Sequence, residues 1–157
     1  GTNGIQANDL VGRKVGKENA ETVLVLITEM RLISRELATA NSDHIKATQE
    51  NFMAALDALE DASTWIATEW ASNPFGVAAG AVPYLRLLGL TTGAWLLCRS
   101  GLIAEKLLSE GTGNPEFLNA KLISARFFSD QYLVKCPALR HTIKNGSSAI
   151  KAAIYAI

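Results

Sequence analysis

The chain has 157 residues, of which 48% are hydrophobic and 19% are charged. A chain of this length fits one compact domain, which buries roughly 70% of the surface that the unfolded chain exposes. Lysine plus arginine and aspartate plus glutamate number 15 each, so no excess of cations is available to neutralise phosphates. The charge balance therefore argues against a nucleic-acid-binding protein, and the high apolar fraction predicts a surface that packs against a partner.

Helical periodicity dominates the first half of the chain, and no convincing strand pattern is present. The first helix is predicted over residues 5–14, with Ile5 on its apolar face, and it stops at Gly16. A second helix is predicted over residues 18–40. The third, over residues 43–71, has the clearest pattern, because four of its apolar residues recur every seven positions. These are Ile45, Phe52, Leu59 and Ile66.

Three more helices are predicted in the second half of the chain. They cover residues 82–109, 115–133 and 137–157, and the last is interrupted at Gly146. Pro83 falls in the first turn of its helix, where the missing N–H is least costly. Because short connections join long helices, we predict an all-α fold, an antiparallel up-down helical bundle. Two Asn–Pro pairs mark boundaries, at Asn73-Pro74 and Asn114-Pro115.

The fourth helix is the most apolar part of the chain. Arg86 and Arg99 leave only twelve uncharged residues between them, whereas a membrane span needs about 20. An unpaired arginine at the centre of a bilayer also costs several kcal/mol, so we interpret this helix as a core helix. Its glycines, Gly89, Gly93 and Gly101, weaken the helix and predict close packing of a neighbour that offsets the loss.

The residues that commonly carry chemistry form no recognisable cluster. Cys98 and Cys136 are far apart and form no CxxC pair, which favours a reduced, cytoplasmic setting. His44 and His141 belong to no metal-binding motif, so no metal site is predicted. Adjacent carboxylates, such as those of Glu60 and Asp61, lie on the polar face of a helix and are interpreted as solvated charges.

The opening residues are the one candidate site. Gly1 and Gly4 let the backbone approach a ligand closely, and Thr2 and Asn3 add a hydroxyl and an amide. Because the segment leads into a helix, its free amides could face an anion. On the residues alone, a capped helix start without a ligand is the simpler interpretation of this segment.

Two segments resemble the acyl-CoA dehydrogenase family. The string GTNGIQANDLVGRKV resembles the end of the catalytic domain, where the family motif runs Tyr-Glu-Gly-Thr-x-x-Ile-Gln into a helix. Gly1, Thr2, Ile5 and Gln6 match this motif, and Gly4 departs from the Glu or Gln of many members. Residues 80–108 and 117–133 resemble a helical extension behind the catalytic domain in a bacterial branch, through the strings PYLRLLG and AKLISARFF.

The resemblance implies a function and a set of site residues. Family members use FAD to oxidise an acyl-CoA thioester to the trans-2-enoyl form, and a carboxylate removes the α-proton. In many members that base is the Glu immediately before the Gly-Thr pair, so we expect it to precede Gly1 and to be absent from this chain. By correspondence Gly1 contacts the substrate, and Thr2, Asn3 and Gly4 line the FAD. Arg86 and Arg126 then hold an interdomain or intersubunit contact, or else an ion pair within the bundle.

We therefore interpret the chain as a C-terminal fragment of an FAD-dependent acyl-CoA dehydrogenase, inactive by itself. Residues 1–40 are predicted to end the catalytic helical domain, and residues 41–157 to form the appended helical domain. Its expected partners are the rest of the dehydrogenase chain, further copies in a homo-oligomer and, in the parent, the acyl-CoA substrate. The alternative, from a different class, is a non-catalytic helical interaction or oligomerisation module.

Overall fold

A computed structural model of the chain describes residues 1–155, in which every regular element is helical. A π-helical stretch, Leu10–Gly16, continues the first α-helix, and a 3-10 turn, Leu133–Lys135, precedes the ninth. Residues 156 and 157 of the predicted last helix lie outside the described residues. The α-helices are α1 (Thr2–Asp9), α2 (Glu21–Arg31), α3 (Ser34–Thr39), α4 (Asp43–Lys46), α5 (Gln49–Glu69), α6 (Pro74–Ala79), α7 (Ala81–Ser109), α8 (Pro115–Gln131), α9 (Cys136–Asn145) and α10 (Ser147–Tyr155).

The core of the bundle is built around α5 and α7. Helix α7 packs against α8, α9, α5 and α1, whereas α5 also contacts α2. The predicted seven-residue stripe is confirmed, because its four members are all completely buried. These are Ile45, Phe52, Leu59 and Ile66. The prediction of an all-α helical bundle is thus confirmed.

Two of the long predicted helices are broken in the structure. The helix predicted over residues 18–40 is divided into α2 and α3 by a turn at residues 32 and 33. The helix predicted over residues 43–71 is divided into α4 and α5 at Thr48. The buried hydroxyl of Thr48 donates a hydrogen bond to the Ile45 carbonyl (2.7 Å), and the Cys98 thiol donates to the same hydroxyl (3.5 Å). The Thr48 N–H also donates to the Ile45 carbonyl (2.9 Å), three residues back instead of four, so the chain forms a turn here between the two helices.

The two Asn–Pro pairs both begin helices. The Asn114 side chain accepts a hydrogen bond from the Phe117 N–H (3.2 Å), so the predicted cap of α8 is confirmed. Asn73 likewise accepts from the Gly76 N–H (3.1 Å) and caps α6, a short helix where the sequence predicted only a boundary. In both cases proline occupies the first turn, where its fixed φ favours the helix.

Candidate functional site: the N-terminal helix start

The four predicted site residues lie together at the beginning of α1. Gly1 is the N-cap residue, and the Gly4 N–H donates to the Gly1 carbonyl (3.2 Å). Gly1, Thr2 and Asn3 are exposed, and Gly4 is half-buried. A Cβ atom added at Gly1 or Gly4 would have no neighbour within 4 Å, so this helix start is open to a flat or anionic group that approaches the backbone.

The same segment is fixed to the bundle further along the chain. Ala7, Val11 and Val15 are buried at four-residue steps, which defines the inward face of α1 and of the π-helical stretch. Ile5 is 71% exposed, so the prediction that it lies on the apolar face is wrong. The inward face is set instead by the four-residue series that starts at Ala7, and Ile5 lies off this series.

Two glycines bring the π-helical stretch against an aromatic ring. A Cβ atom at Gly12 would lie 2.9 Å from Trp70 Cη2, and one at Gly16 would lie 2.6 Å from Trp70 Cγ. Both distances are shorter than side chains tolerate, so only glycine allows this approach of the backbone to the indole. Trp70 follows the last residue of α5, and the contact therefore joins the candidate site to the core helices.

The buried reactive groups of the described residues are held in their neutral forms. Burial raises the pKa of the Cys98 thiol, and a hydrogen bond with Thr48 opposes the rise. Burial also raises the pKa of Cys136 to about 11 and that of Tyr84 to about 12. A protonated, buried thiol is a poor nucleophile, so these groups serve the core. No group of three His, Cys, Asp or Glu side chains that could hold a metal ion occurs among the described residues.

The two arginines of the extension motif have different environments. Arg126 forms an ion pair with Asp130 one turn along α8 (2.5 Å), so for this residue the ion pair within the bundle is confirmed. Arg86 is exposed and lines a cleft of about 380 Å³ together with Lys135 and Leu139. For Arg86 the interdomain or intersubunit contact stays a prediction.

Three carboxylates of α5 form ion pairs across helices, and all three stay exposed or partly exposed, which agrees with their interpretation as solvated charges. Arg31 on α2 contacts both Asp57 (2.6 Å) and Glu60 (2.5 Å). Lys144 on α9 contacts Asp61 at 2.8 Å and 2.9 Å. The partners are between 26 and 83 residues apart in sequence, so helical periodicity could not reveal them.

Helix α7 is the one helix in residues 1–155 that is long and apolar enough to cross a membrane by length and composition. One such helix is weak evidence for a span, because the core helix of a soluble protein passes the same test. In this structure α7 packs against α8 and α9, and Tyr84, Leu87 and Cys98 on it are buried. These contacts support its interpretation as a core helix.

The fold defines a helical bundle domain with an exposed, glycine-containing helix start at its N-terminal end. A family model described as "Acetyl-CoA dehydrogenase C-terminal like" matches residues 26–153. The chain is also 35% identical to 3-methylmercaptopropionyl-CoA dehydrogenase of Ruegeria pomeroyi, over an alignment of 161 positions that covers 98% of this chain. It spans about a quarter (26%) of the length of that relative. The chain therefore belongs to the acyl-CoA dehydrogenase family, in the part that the family model describes as C-terminal, and the resemblance noted in the sequence is confirmed.

Proposed function

We propose that the chain is the C-terminal region of an FAD-dependent acyl-CoA dehydrogenase that converts acyl-CoA thioesters to trans-2-enoyl-CoA. The observation that carries the proposal is the alignment of almost the entire chain with a quarter of a CoA dehydrogenase. In this proposal residues 1–40 end the catalytic helical domain, and residues 41–157 form the appended domain. The reduced, buried thiols of Cys98 and Cys136 fit a cytoplasmic location.

The helix start at residues 1–4 is proposed to face the cofactor and the substrate. When bound, FAD supplies the acceptor for the hydride that leaves the β-carbon of the substrate. Thr2, Asn3 and Gly4 line the FAD in this proposal, and Gly1 contacts the thioester. The open space beside Gly1 and Gly4 supports these roles, since a planar ring system can approach the backbone there without a clash.

The base that removes the α-proton is proposed to be a Glu immediately before Gly1. The first carboxylate within the chain is that of Asp9, which forms an ion pair with Arg13 one turn later. A paired, partly exposed carboxylate near the far end of α1 is poorly suited to accept a proton at the helix start. We therefore expect the 157-residue chain alone to be inactive and to bind no FAD.

The proposal is tested by comparing this chain with a longer parent chain that includes the upstream catalytic domain. The purified parent is expected to be yellow and to oxidise acyl-CoA, whereas the 157-residue chain is expected to be colourless. In the parent, Gly4→Leu should reduce the flavin content, because the side chain occupies the space proposed for FAD. Gly89→Leu is the matched control, since Gly89 is also helical and has no neighbour within 4 Å. Stoichiometric FAD binding by the short chain would overturn the proposal, as would a Gly4→Leu parent with unchanged flavin content.

A second candidate function is that of a helical packing and assembly module. Its specific support is the number of large apolar side chains on the surface, among them Leu32, which is 72% exposed, and Val25, which is 65% exposed. Such residues favour contact with the rest of the dehydrogenase chain or with further copies in a homo-oligomer. The two functions are compatible, because an enzyme can contain a non-catalytic domain that stabilises it by packing against the rest of the chain.

A further inference from the structure

The cleft that Arg86 lines lies between α7 and the beginning of α9. It has a volume of about 380 Å³ and combines apolar side chains with a hydroxyl and two cations. Its lining residues are Arg86, Leu90, Lys135, Ala138, Leu139 and Thr142. Because two of these residues are cationic and none is acidic, we call it the cationic cleft.

The backbone on both sides of the cationic cleft is fixed by buried neighbours. Arg86 lies between Tyr84 and Leu87 on α7, and both of these side chains are completely buried. Lys135 ends the 3-10 turn and directly precedes Cys136, which is also completely buried. The two cations therefore extend from rigid elements of the fold, which gives them a defined position relative to a partner.

Neither cation of the cleft has a carboxylate partner in the bundle. Within the described residues Arg86 and Lys135 form no ion pair, and the Lys135 ammonium instead lies 5.0 Å from the centre of the Tyr132 ring. Both cations are exposed, whereas Leu90 and Leu139 are half-buried. A neutral surface packed over the cleft would remove two charges from water without compensation, which is unfavourable. The lining therefore favours an occupant with a carboxylate beside an apolar side chain.

In the proposed parent, the upstream catalytic domain begins close to this cleft. The chain spans 26% of the aligned relative, so about three quarters of such a parent lies outside the structure. Beyond α1, Leu10 lines a hollow together with Leu88, which is two residues from Arg86 on α7. Helix α1 has eight residues, a length of about 12 Å. A domain of more than 100 residues has a radius of gyration of at least about 13 Å, so a domain joined to Gly1 can extend to the cleft.

A second copy of the chain fits the cationic cleft less well. In a two-fold contact centred on the cleft, Arg86 and Lys135 would face their own equivalents, which is repulsive. A segment of the same polypeptide is already tethered to the bundle, so its binding is intramolecular and does not depend on the concentration of the protein. Charge and connectivity thus favour the upstream domain over a further copy.

We infer that the cationic cleft binds a carboxylate-bearing segment of the upstream catalytic domain. Arg86 and Lys135 bind the carboxylate, and Leu90 and Leu139 contact the apolar side chains beside it. The inference rests on the proposed function, since it requires a parent chain with an upstream domain. It decides between the two contacts predicted for Arg86 in favour of the interdomain one.

The contact is tested in the parent chain by cross-linking with a carbodiimide, which joins a lysine amine directly to a carboxylate that it contacts. Lys135 is expected to be joined to an aspartate or glutamate upstream of Gly1, which mass spectrometry identifies. The cross-linked peptide should come from material that keeps the mass of a single chain on a denaturing gel. The positive control is the cross-link between Lys144 and Asp61, which are in contact at 2.8 Å within the bundle.

Two substitutions of Arg86 separate its charge from its shape. Arg86→Glu places a like charge beside the bound carboxylate and should lower the yield of the Lys135 cross-link by at least about fivefold. Arg86→Lys keeps the charge, so it should keep this cross-link and add a second one, from position 86 to the same upstream segment. Arg35→Glu is the matched control, since Arg35 is an exposed arginine on α3 that does not line the cleft. An unchanged yield of the Lys144–Asp61 cross-link in each variant shows that the bundle still folds.

Three results would overturn the inference. The first is a Lys135 cross-link found only in material with the mass of two chains, because another copy would then occupy the cleft. The second is a Lys135 cross-link to a carboxylate within residues 1–157, and the third is the absence of any Lys135 cross-link in a parent that forms the Lys144–Asp61 one. A parent that forms the expected cross-link but binds no FAD would overturn the dehydrogenase proposal alone.

Discussion

Glycines at different positions of this chain are subject to different constraints. A Cβ atom at Gly16 would lie 2.6 Å and 2.7 Å from two ring atoms of Trp70 and 3.0 Å from the Val11 carbonyl oxygen. A Cβ atom at Gly89, in the interior of α7, would have no neighbour within 4 Å. The first glycine is required by a close approach, whereas packing within the chain gives no reason for the second.

We predict opposite effects of alanine at these two positions. Gly16→Ala should lower the free energy of unfolding by about 1–3 kcal/mol, because the rigid indole and the backbone leave no space for a methyl group. Gly89→Ala should raise it by up to about 1 kcal/mol through helix propensity. Urea denaturation followed by circular dichroism measures both values. Equal stabilities of the two variants would show that the contact with Trp70 does not constrain Gly16.

Burial of apolar residues was predictable at the residue scale, but pairing of polar residues was not. The seven-residue stripe identified Ile45 and Phe52 from spacing alone, because helical geometry fixes which residues share a face. The buried hydrogen bond between Ser63 and Tyr84 (2.7 Å) joins α5 to α7 across 21 positions. No local pattern encodes such a contact, because it depends on how the helices are placed against each other.

At the scale of single helices, the glycines of α7 predicted close contacts with neighbouring helices correctly at some positions and not at others. Gly101 on α7 faces Ile45 and Ala125, and Gly93 faces Phe128, whose Cζ would lie 3.5 Å from an added Cβ. These two glycines confirm the prediction that small residues let neighbouring helices approach. Gly89 does not, because it lies on the outer face of α7. Spacing along one helix shows that a residue is small, but not which neighbour it faces.

Helix α9 is joined to α5 by charges as well as by apolar packing. Asp61 on α5 contacts Lys144 (2.8 Å) and Arg140 (3.4 Å) on α9. All three side chains are partly exposed, so solvent screens the attraction. Asp61→Asn should therefore lower the free energy of unfolding by only about 0.5–1 kcal/mol.

The charge contribution can be separated from other effects of this substitution by salt. The difference between Asp61→Asn and the wild type should shrink in 1 M salt, where the Debye length is about 3 Å. Glu29→Gln is the control, because Glu29 is exposed, lies near the C-terminal end of α2 and forms no ion pair within the described residues. Equal losses of stability in the two variants would indicate that the pairing between α5 and α9 contributes nothing measurable.

The stability of the molecule as a whole should fall in alkaline solution. In the folded state the pKa of Cys136 is about 11 and that of Tyr84 about 12, against ordinary values of 9.0 and 10.0, and the pKa of Cys98 is also raised, in each case mainly by burial. As the pH rises above 9, the unfolded chain releases protons that the folded chain retains, which favours unfolding. Each group then lowers the free energy of unfolding by up to about 1.4 kcal/mol per pH unit, until the pH reaches its pKa in the folded state.

Urea denaturation at pH 8, 9, 10 and 11 should show this decline. The variant Tyr84→Phe shows how much of the decline comes from ionisation of the Tyr84 phenol. At pH 8 the variant should be less stable by about 1 kcal/mol, because the Ser63 hydroxyl loses its buried partner. The advantage of the wild type should then shrink above pH 10, where only the unfolded phenol ionises. An advantage that stayed constant up to pH 11 would contradict the raised pKa.

For the whole molecule, the all-α bundle followed from composition, periodicity and short connections, whereas the family followed from two short strings of residues. The residue types of Gly1 to Gly4 marked a candidate site at a helix start, but only the resemblance assigned these residues to a substrate and to FAD. A groove of about 360 Å³ between α7 and the helices α2 and α3 could not be predicted at all. Its walls are about 70 residues apart in sequence, and it forms only when α7 is placed beside the turn between α2 and α3.

The contact of Gly12 and Gly16 with Trp70 bears on how modular this part of the family is. The two glycines belong to the stretch predicted to end one domain, and the tryptophan belongs to the stretch predicted to form the next. An exchange of residues 41–157 with those of a relative would preserve the packing of the π-helical stretch only if the incoming segment placed an indole, or a side chain of similar shape, against these glycines. If the chain is divided at residue 40 as predicted, the two parts must match at this indole and also where α1 meets α7 and α2 meets α5.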